Sequence, residues 1–76
     1  MEMTLEKEYQ KFLEHLASNI RKQRNKRNLT QEEMAEQLRL NYRYYQKLES
    51  GSYSPRLHTL FKLSRLLKTR LIDLLG

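Results

Sequence analysis

A chain of 76 residues with fifteen Lys and Arg, nine Asp and Glu and no Cys has room for one domain, and a domain this small buries only about 60% of the surface its unfolded chain exposes. The absence of cysteine excludes disulfides and thiolate metal sites and fits a reducing cytoplasm, while the recurring charges leave no apolar stretch for a signal peptide or a spanning helix, so a soluble intracellular protein is expected. The net charge of +6 favours a polyanionic partner, nucleic acid or anionic lipid, and it is unevenly spread: residues 1–19 carry four acids and two bases, Ile20 to Asn28 five bases and no acid, and residues 42–76 seven bases against two acids.

From Leu5 to Arg27 the apolar residues Leu5, Tyr9, Phe12, Leu13, Leu16 and Ile20 recur every three or four positions, which predicts one long amphipathic helix with Thr4 as its N-cap. Asn28 is suited to leaving that helix, since Asn tolerates the left-handed conformation. A second helix is expected immediately after Thr30, because the threonine can cap and Glu33 three residues on can close a capping box; Met34, Ala35 and Leu38 face inward. The polar stretch Arg39 to Asn41 predicts a turn, and Asn41 caps a third helix from Tyr42 to about Glu49, with Tyr45 and Leu48 inward. Ser50 and Gly51 end it. After a loop at Ser52 to Pro55, Ser54 as N-cap and Pro55 at the first helical position open a fourth helix with an apolar stripe of Leu57, Leu60, Phe61, Leu63, Leu66 and Leu67. Thr69 then caps a short fifth helix carrying Leu71, Ile72, Leu74 and Leu75. There is no alternating strand pattern, no internal repeat and no linker, so the reading is a single all-α domain over residues 1–76 with five helices, the first lengthened by an extension at residues 1–15.

Residues 30–50 carry the informative pattern. Thr30 to Gly51 reads TQEEMAEQLRLNYRYYQKLESG: a short helix, a tight turn and a second short helix, with the small Ala35 where the two must approach closely. With Ile20 and Arg24 before it, the LESG close, the SP start and the LIDLL ending, this resembles the phage repressor and Cro type of DNA-binding domain, the XRE family, over about Leu16 to Leu75. The resemblance implies a five-helix, repressor-like helix-turn-helix domain that binds double-stranded DNA in the major groove, regulates transcription, and acts as a homodimer on an inverted repeat, with a repressor role.

By the same resemblance the base-reading residues are Tyr42, Arg43, Gln46 and Lys47. Their chemistry suits base recognition, since Arg43 and Lys47 can donate to guanine O6 and N7, Gln46 can pair with adenine, and Tyr42 can meet a thymine methyl or a phosphate. Phosphate contacts fall to Gln31 and Thr30 at the start of the second helix, where backbone amides favour an anion, and to Arg21, Lys22, Lys26 and Arg56, with Lys62 beside them, while Tyr44 either meets a phosphate or is simply exposed. Arg24 and Glu49 match a structural ion pair, Tyr45 matches a core position whose hydroxyl needs a partner, and Leu71, Leu74 and Leu75 match the dimer contact. Arg39 departs from the family, which prefers Gly in that turn, and Tyr9, Phe12 and Leu13 in the extension have no assigned role beyond covering the core or joining a dimer.

Two other classes compete with this reading. An enzyme has little support, because His15 and His58 stand alone and no nucleophile with a matching base, phosphate loop or metal-ligand spacing is present; no metal and no cofactor are expected. A protein-interaction module or antitoxin-type partner, using the same fold to meet a toxin or another protein, is the alternative to DNA. A membrane-surface role is disfavoured, since Leu13, Leu16 and Ile20 opposite the basic run are needed for the core.

Overall fold

Local capping decides where three of the helices begin. In a computed structural model describing residues 4–76, Thr4 Oγ1 accepts the Lys7 amide at 3.2 Å and opens α1, Leu5–Lys26. The helix ends one residue earlier than the apolar spacing suggests, with Arg27 as its C-cap, and Asn28 takes the left-handed conformation expected of it, φ 55°. Thr30 and Glu33 form both halves of a capping box at the start of α2, Gln31–Leu38, and Asn41 Oδ1 accepts the amides of Arg43 and Tyr44 to start α3, Tyr42–Glu49. Gly51 follows with φ 78°.

The last two helices start differently from the sequence expectation. α4 spans Leu57–Leu66, with Arg56 as its N-cap and no side-chain cap; Pro55 lies outside it, and the hydroxyl of Ser54, expected to cap, is instead hydrogen-bonded to that of Tyr9. α5 spans Leu71–Leu75 behind Arg70, while Thr69 Oγ1 donates backwards to the Leu67 carbonyl at 3.1 Å. In both places the small polar residue has found a partner outside the helix it was expected to cap.

The five helices close on one core. Ile20 of α1, Met34, Ala35 and Leu38 of α2, Tyr45 and Leu48 of α3, Leu60 and Leu63 of α4, then Leu67 and Leu74 form a single buried cluster. The apolar stripe of α4 is narrower than its sequence suggests: Leu57 and Phe61 sit on its flank, 72% and 56% exposed, while the helix packs inward through Leu60 and Leu63, with Leu66 partly buried and the C-cap Leu67 beyond them. α1 is longer than the bundle it covers. Its inward face is buried at Leu13, Leu16, Ala17 and Ile20, but Leu5, Tyr9 and Phe12 on the same side run past the core, stay exposed, and give the molecule extents of 41 × 24 × 21 Å. Side-chain bonds brace this overhang, Tyr9 to Ser54, Gln10 Nε2 to the Gly51 carbonyl at 3.0 Å and His15 Nε2 to the Gly76 carbonyl. No helix among the described residues is long and apolar enough to cross a membrane.

Candidate nucleic-acid interface

The turn between α2 and α3 presents α3 to solvent. Arg39 takes the left-handed conformation, φ 57° and ψ 44°, where a non-glycine residue is strained, and the Leu40 amide closes the turn on the Ala35 carbonyl at 2.8 Å. α3 then lies with Tyr45 and Leu48 in the core and Tyr42, Arg43, Gln46 and Lys47 exposed on the opposite side. All four expected base-reading residues therefore share one accessible helix face. Gln46 Nε2 donates to the Tyr42 hydroxyl at 3.2 Å, one helical turn back, which ties two of them together.

Behind that face, one carboxylate holds three helices. Glu49, at the end of α3, is only 2% exposed. Its Oε2 accepts Arg24 Nε at 2.7 Å, and its Oε1 accepts both Arg24 Nη2 and Gln31 Nε2 at 3.1 Å. The Tyr45 hydroxyl, one turn back on α3, donates to the same carboxylate. The remaining donor of Arg24, Nη1, reaches the Leu29 carbonyl at 2.8 Å, and Arg21 Nη1 donates to the backbone carbonyl of Glu49. Among the described residues no buried side-chain polar atom is left without a partner. The electrostatics follow from this packing: hydrogen bonding to Glu49 raises the Arg24 pKa, and burial, reinforced by Glu49, pushes the Tyr45 phenol well above its ordinary range. The expected ion pair and the expected core role of Tyr45 are thus parts of one network, and the partner its hydroxyl requires is Glu49.

The expected phosphate-binding residues are less uniform. At the start of α2 the capping box occupies the amides of Thr30 and Glu33, which leaves those of Gln31 and Glu32 as the helix's free N-terminal donors. The Gln31 side chain is turned towards Glu49, so its amide group braces α2 against α3. Arg21 is brought to the end of α3 through the Glu49 carbonyl. Lys22 and Lys26 are exposed, but the helical period places Lys22 on the side of α1 away from Ile20 and the core. Tyr44 is half-buried with its ring edge-on to Tyr53, centroids 5.0 Å apart, and the two rings line an open groove with Arg39, Asn41 and Arg56. Arg27, assigned no role by sequence, donates to the Leu67 carbonyl and ties α1 to the end of α4.

At the opposite end, Leu74 is fully buried and cannot lie on a contact surface; it belongs to the core that joins α5 to α1. Leu71 and Leu75 are half-buried against that core, and the most exposed apolar residue of α5 is Ile72 at 68%. The sequence does not reveal this exchange because five residues are too few for a period to fix which face turns inward.

A family model described as helix-turn-helix matches residues 20–74, from the Ile20 core position to the buried Leu74. No curated protein and no solved structure matches the chain.

Proposed function

The chain belongs to the XRE-type helix-turn-helix family of DNA-binding regulators, and on that premise we propose that it represses transcription as a homodimer bound to an inverted-repeat operator in the cytoplasm. One observation carries the reading: Tyr42, Arg43, Gln46 and Lys47 share the exposed face of a helix that the buried Glu49 network fixes to α1 and α2. A rigid helix with that face enters a major groove, where Arg43 and Lys47 meet guanine edges and Gln46 meets adenine. Arg21, the α2 amides at Gln31 and Glu32, and Arg56 beside Tyr44 fall on phosphates and set the register, with Thr30 holding the α2 terminus in shape. A single such helix reads a short half-site, so specificity requires two copies with their recognition helices about 34 to 36 Å apart.

In vitro selection from random duplexes, run with the wild type and with Arg43→Ala at one salt concentration, tests this reading. The expected result is an enriched inverted repeat that loses its preference at one base pair of each half-site in the variant. Binding without enrichment of any sequence would overturn it and favour the protein-interaction or antitoxin-type role.

A further inference from the structure

Two surfaces outside the DNA-facing side remain uncovered, and their chemistry is complementary. The first is the overhang of α1. Leu5, Tyr9 and Phe12 are exposed along one stripe, Tyr9 and Phe12 stacked with centroids 6.1 Å apart, and the helical period flanks that stripe with Glu6 and Glu8 while sending Lys7 and Lys11 to the back. The second is the outer face of α4 and α5. Leu57, Phe61 and Ile72 are exposed there, the Arg65 guanidinium lies 5.9 Å from the Phe61 ring centre, and Lys68 and Arg70 line the adjoining open groove with Leu71. From Tyr53 to Gly76 the sequence has five Lys and Arg and one acid, Asp73, which Arg70 already pairs with at 3.0 Å.

We propose that the α1 overhang of one copy docks, through Phe12 and its flanking Glu8, onto the Phe61–Arg65 face of α4 and α5 in a second copy, and that the second copy returns the same contact. The proposal rests on the homodimer reading above and names its interface. Each surface has an apolar centre with a charged rim, acidic on one and basic on the other, the pattern of an interface whose centre is desolvated and whose edge is wet. α5 is tied to α1 just beyond the overhang, where Asn19 Nδ2 donates to the Leu74 carbonyl at 2.9 Å and His15 reaches Gly76. A two-fold axis near that junction lets every copy give and receive one contact, which closes the assembly as a dimer with no free surface left to extend it.

The chain has no cysteine, so introduced thiols report proximity unambiguously. Phe12→Cys and Phe61→Cys proteins, mixed and oxidised, are expected to give mainly the mixed disulfide, at least about tenfold over that formed between Phe12→Cys and a Tyr53→Cys control. Sedimentation equilibrium of the cysteine-free chain should show a dimer that Glu8→Arg or Arg65→Glu each weakens about tenfold or more and that the two together restore. Disulfides mainly between two Phe12→Cys chains or two Phe61→Cys chains, a dimer indifferent to both charge reversals, or a monomer throughout would overturn the interface. Binding to a duplex with a single half-site, followed alongside, separates the two ideas. A monomer that binds the half-site removes this interface and keeps the DNA reading, whereas a dimer with these cross-links that ignores DNA keeps the interface and removes that reading.

Discussion

Glu49 concentrates more of the architecture than any other side chain. A buried carboxylate is costly unless its lone pairs are filled, and here Arg24, Gln31 and Tyr45 fill them from three different helices. Removing it strands the Arg24 guanidinium, the Gln31 amide and the Tyr45 hydroxyl together, so Glu49→Ala should destabilise the domain by about 3 kcal/mol in urea melts, a large share of what a domain of this size possesses. Its DNA affinity should fall too, because α3 loses the tie that fixes its end to α1 and α2. Tyr45 adds a pH signature of definite sign. Burial first, and the Glu49 carboxylate second, raise the phenol pKa in the folded chain, whereas the unfolded chain ionises near the ordinary value of about 10. Stability is therefore fully present below that value and declines as pH rises beyond it. Melts between neutral and strongly alkaline pH should show this slope in the wild type and a shallower one in Tyr45→Phe.

The helices most legible in the sequence are those whose ends carry their own chemistry. Thr30 with Glu33 and Asn41 with its two amides fix the starts of α2 and α3 to the residue, since those side chains have no better partner than the adjacent backbone. Ser54 and Thr69 mislead because other partners take their hydroxyls: Thr69 bonds back to the Leu67 carbonyl, and no local pattern records that Tyr9, 45 residues earlier, claims the Ser54 hydroxyl. The capping box has a testable acid limb. Hydrogen bonding to Thr30 lowers the Glu33 pKa in the folded chain, so its stabilisation is present above the ordinary carboxylate pKa and is lost as pH falls through the lowered value. An acid titration followed by circular dichroism should lose this component in Glu33→Gln, which keeps an acceptor but does not titrate. Two of the left-handed positions, Arg39 and Gly51, should respond in opposite directions. Arg39→Gly relieves a strained turn and is expected to be stabilising by up to about 1 kcal/mol, the relief being partly offset by a more flexible unfolded chain. Gly51→Ala should destabilise by about 1 to 2 kcal/mol in thermal melts, since its Cβ would stand 3.1 Å from the Glu14 Cα of α1 as well as at φ 78°.

At the scale of the whole molecule, sequence patterning separates the exposed face of α3 from the face that meets the core, but it does not mark apolar residues left outside the core. The exposed face of Tyr42, Arg43, Gln46 and Lys47 is legible because an eight-residue helix with Tyr45 and Leu48 inward has one remaining side. Leu57 and Phe61 look like core residues in the sequence because a leucine-rich helix reads the same whether it buries one face in its own chain or a second face in another. The basic run of α1 is ambiguous for a related reason: five cations in nine residues must point in several directions, and only the folded chain distinguishes Arg21, held at the end of α3, from Lys22 on the far side of the helix. That difference sets the last expectation. Each phosphate neutralised contributes about 0.9 to the slope of log affinity against log salt, and this contribution is blind to sequence. Arg21→Ala should therefore weaken selected and random duplexes by the same factor and flatten the salt dependence by roughly one such unit, while Lys22→Ala should leave both nearly unchanged. Arg43→Ala should lose about 1 to 3 kcal/mol on the selected duplex and much less on random DNA. Anisotropy titrations of the three variants at several salt concentrations read all of these quantities. A Lys22→Ala loss equal to that of Arg21→Ala would mean that the duplex wraps around the outer side of α1, and the docking of α3 in the groove would have to be rotated to meet it.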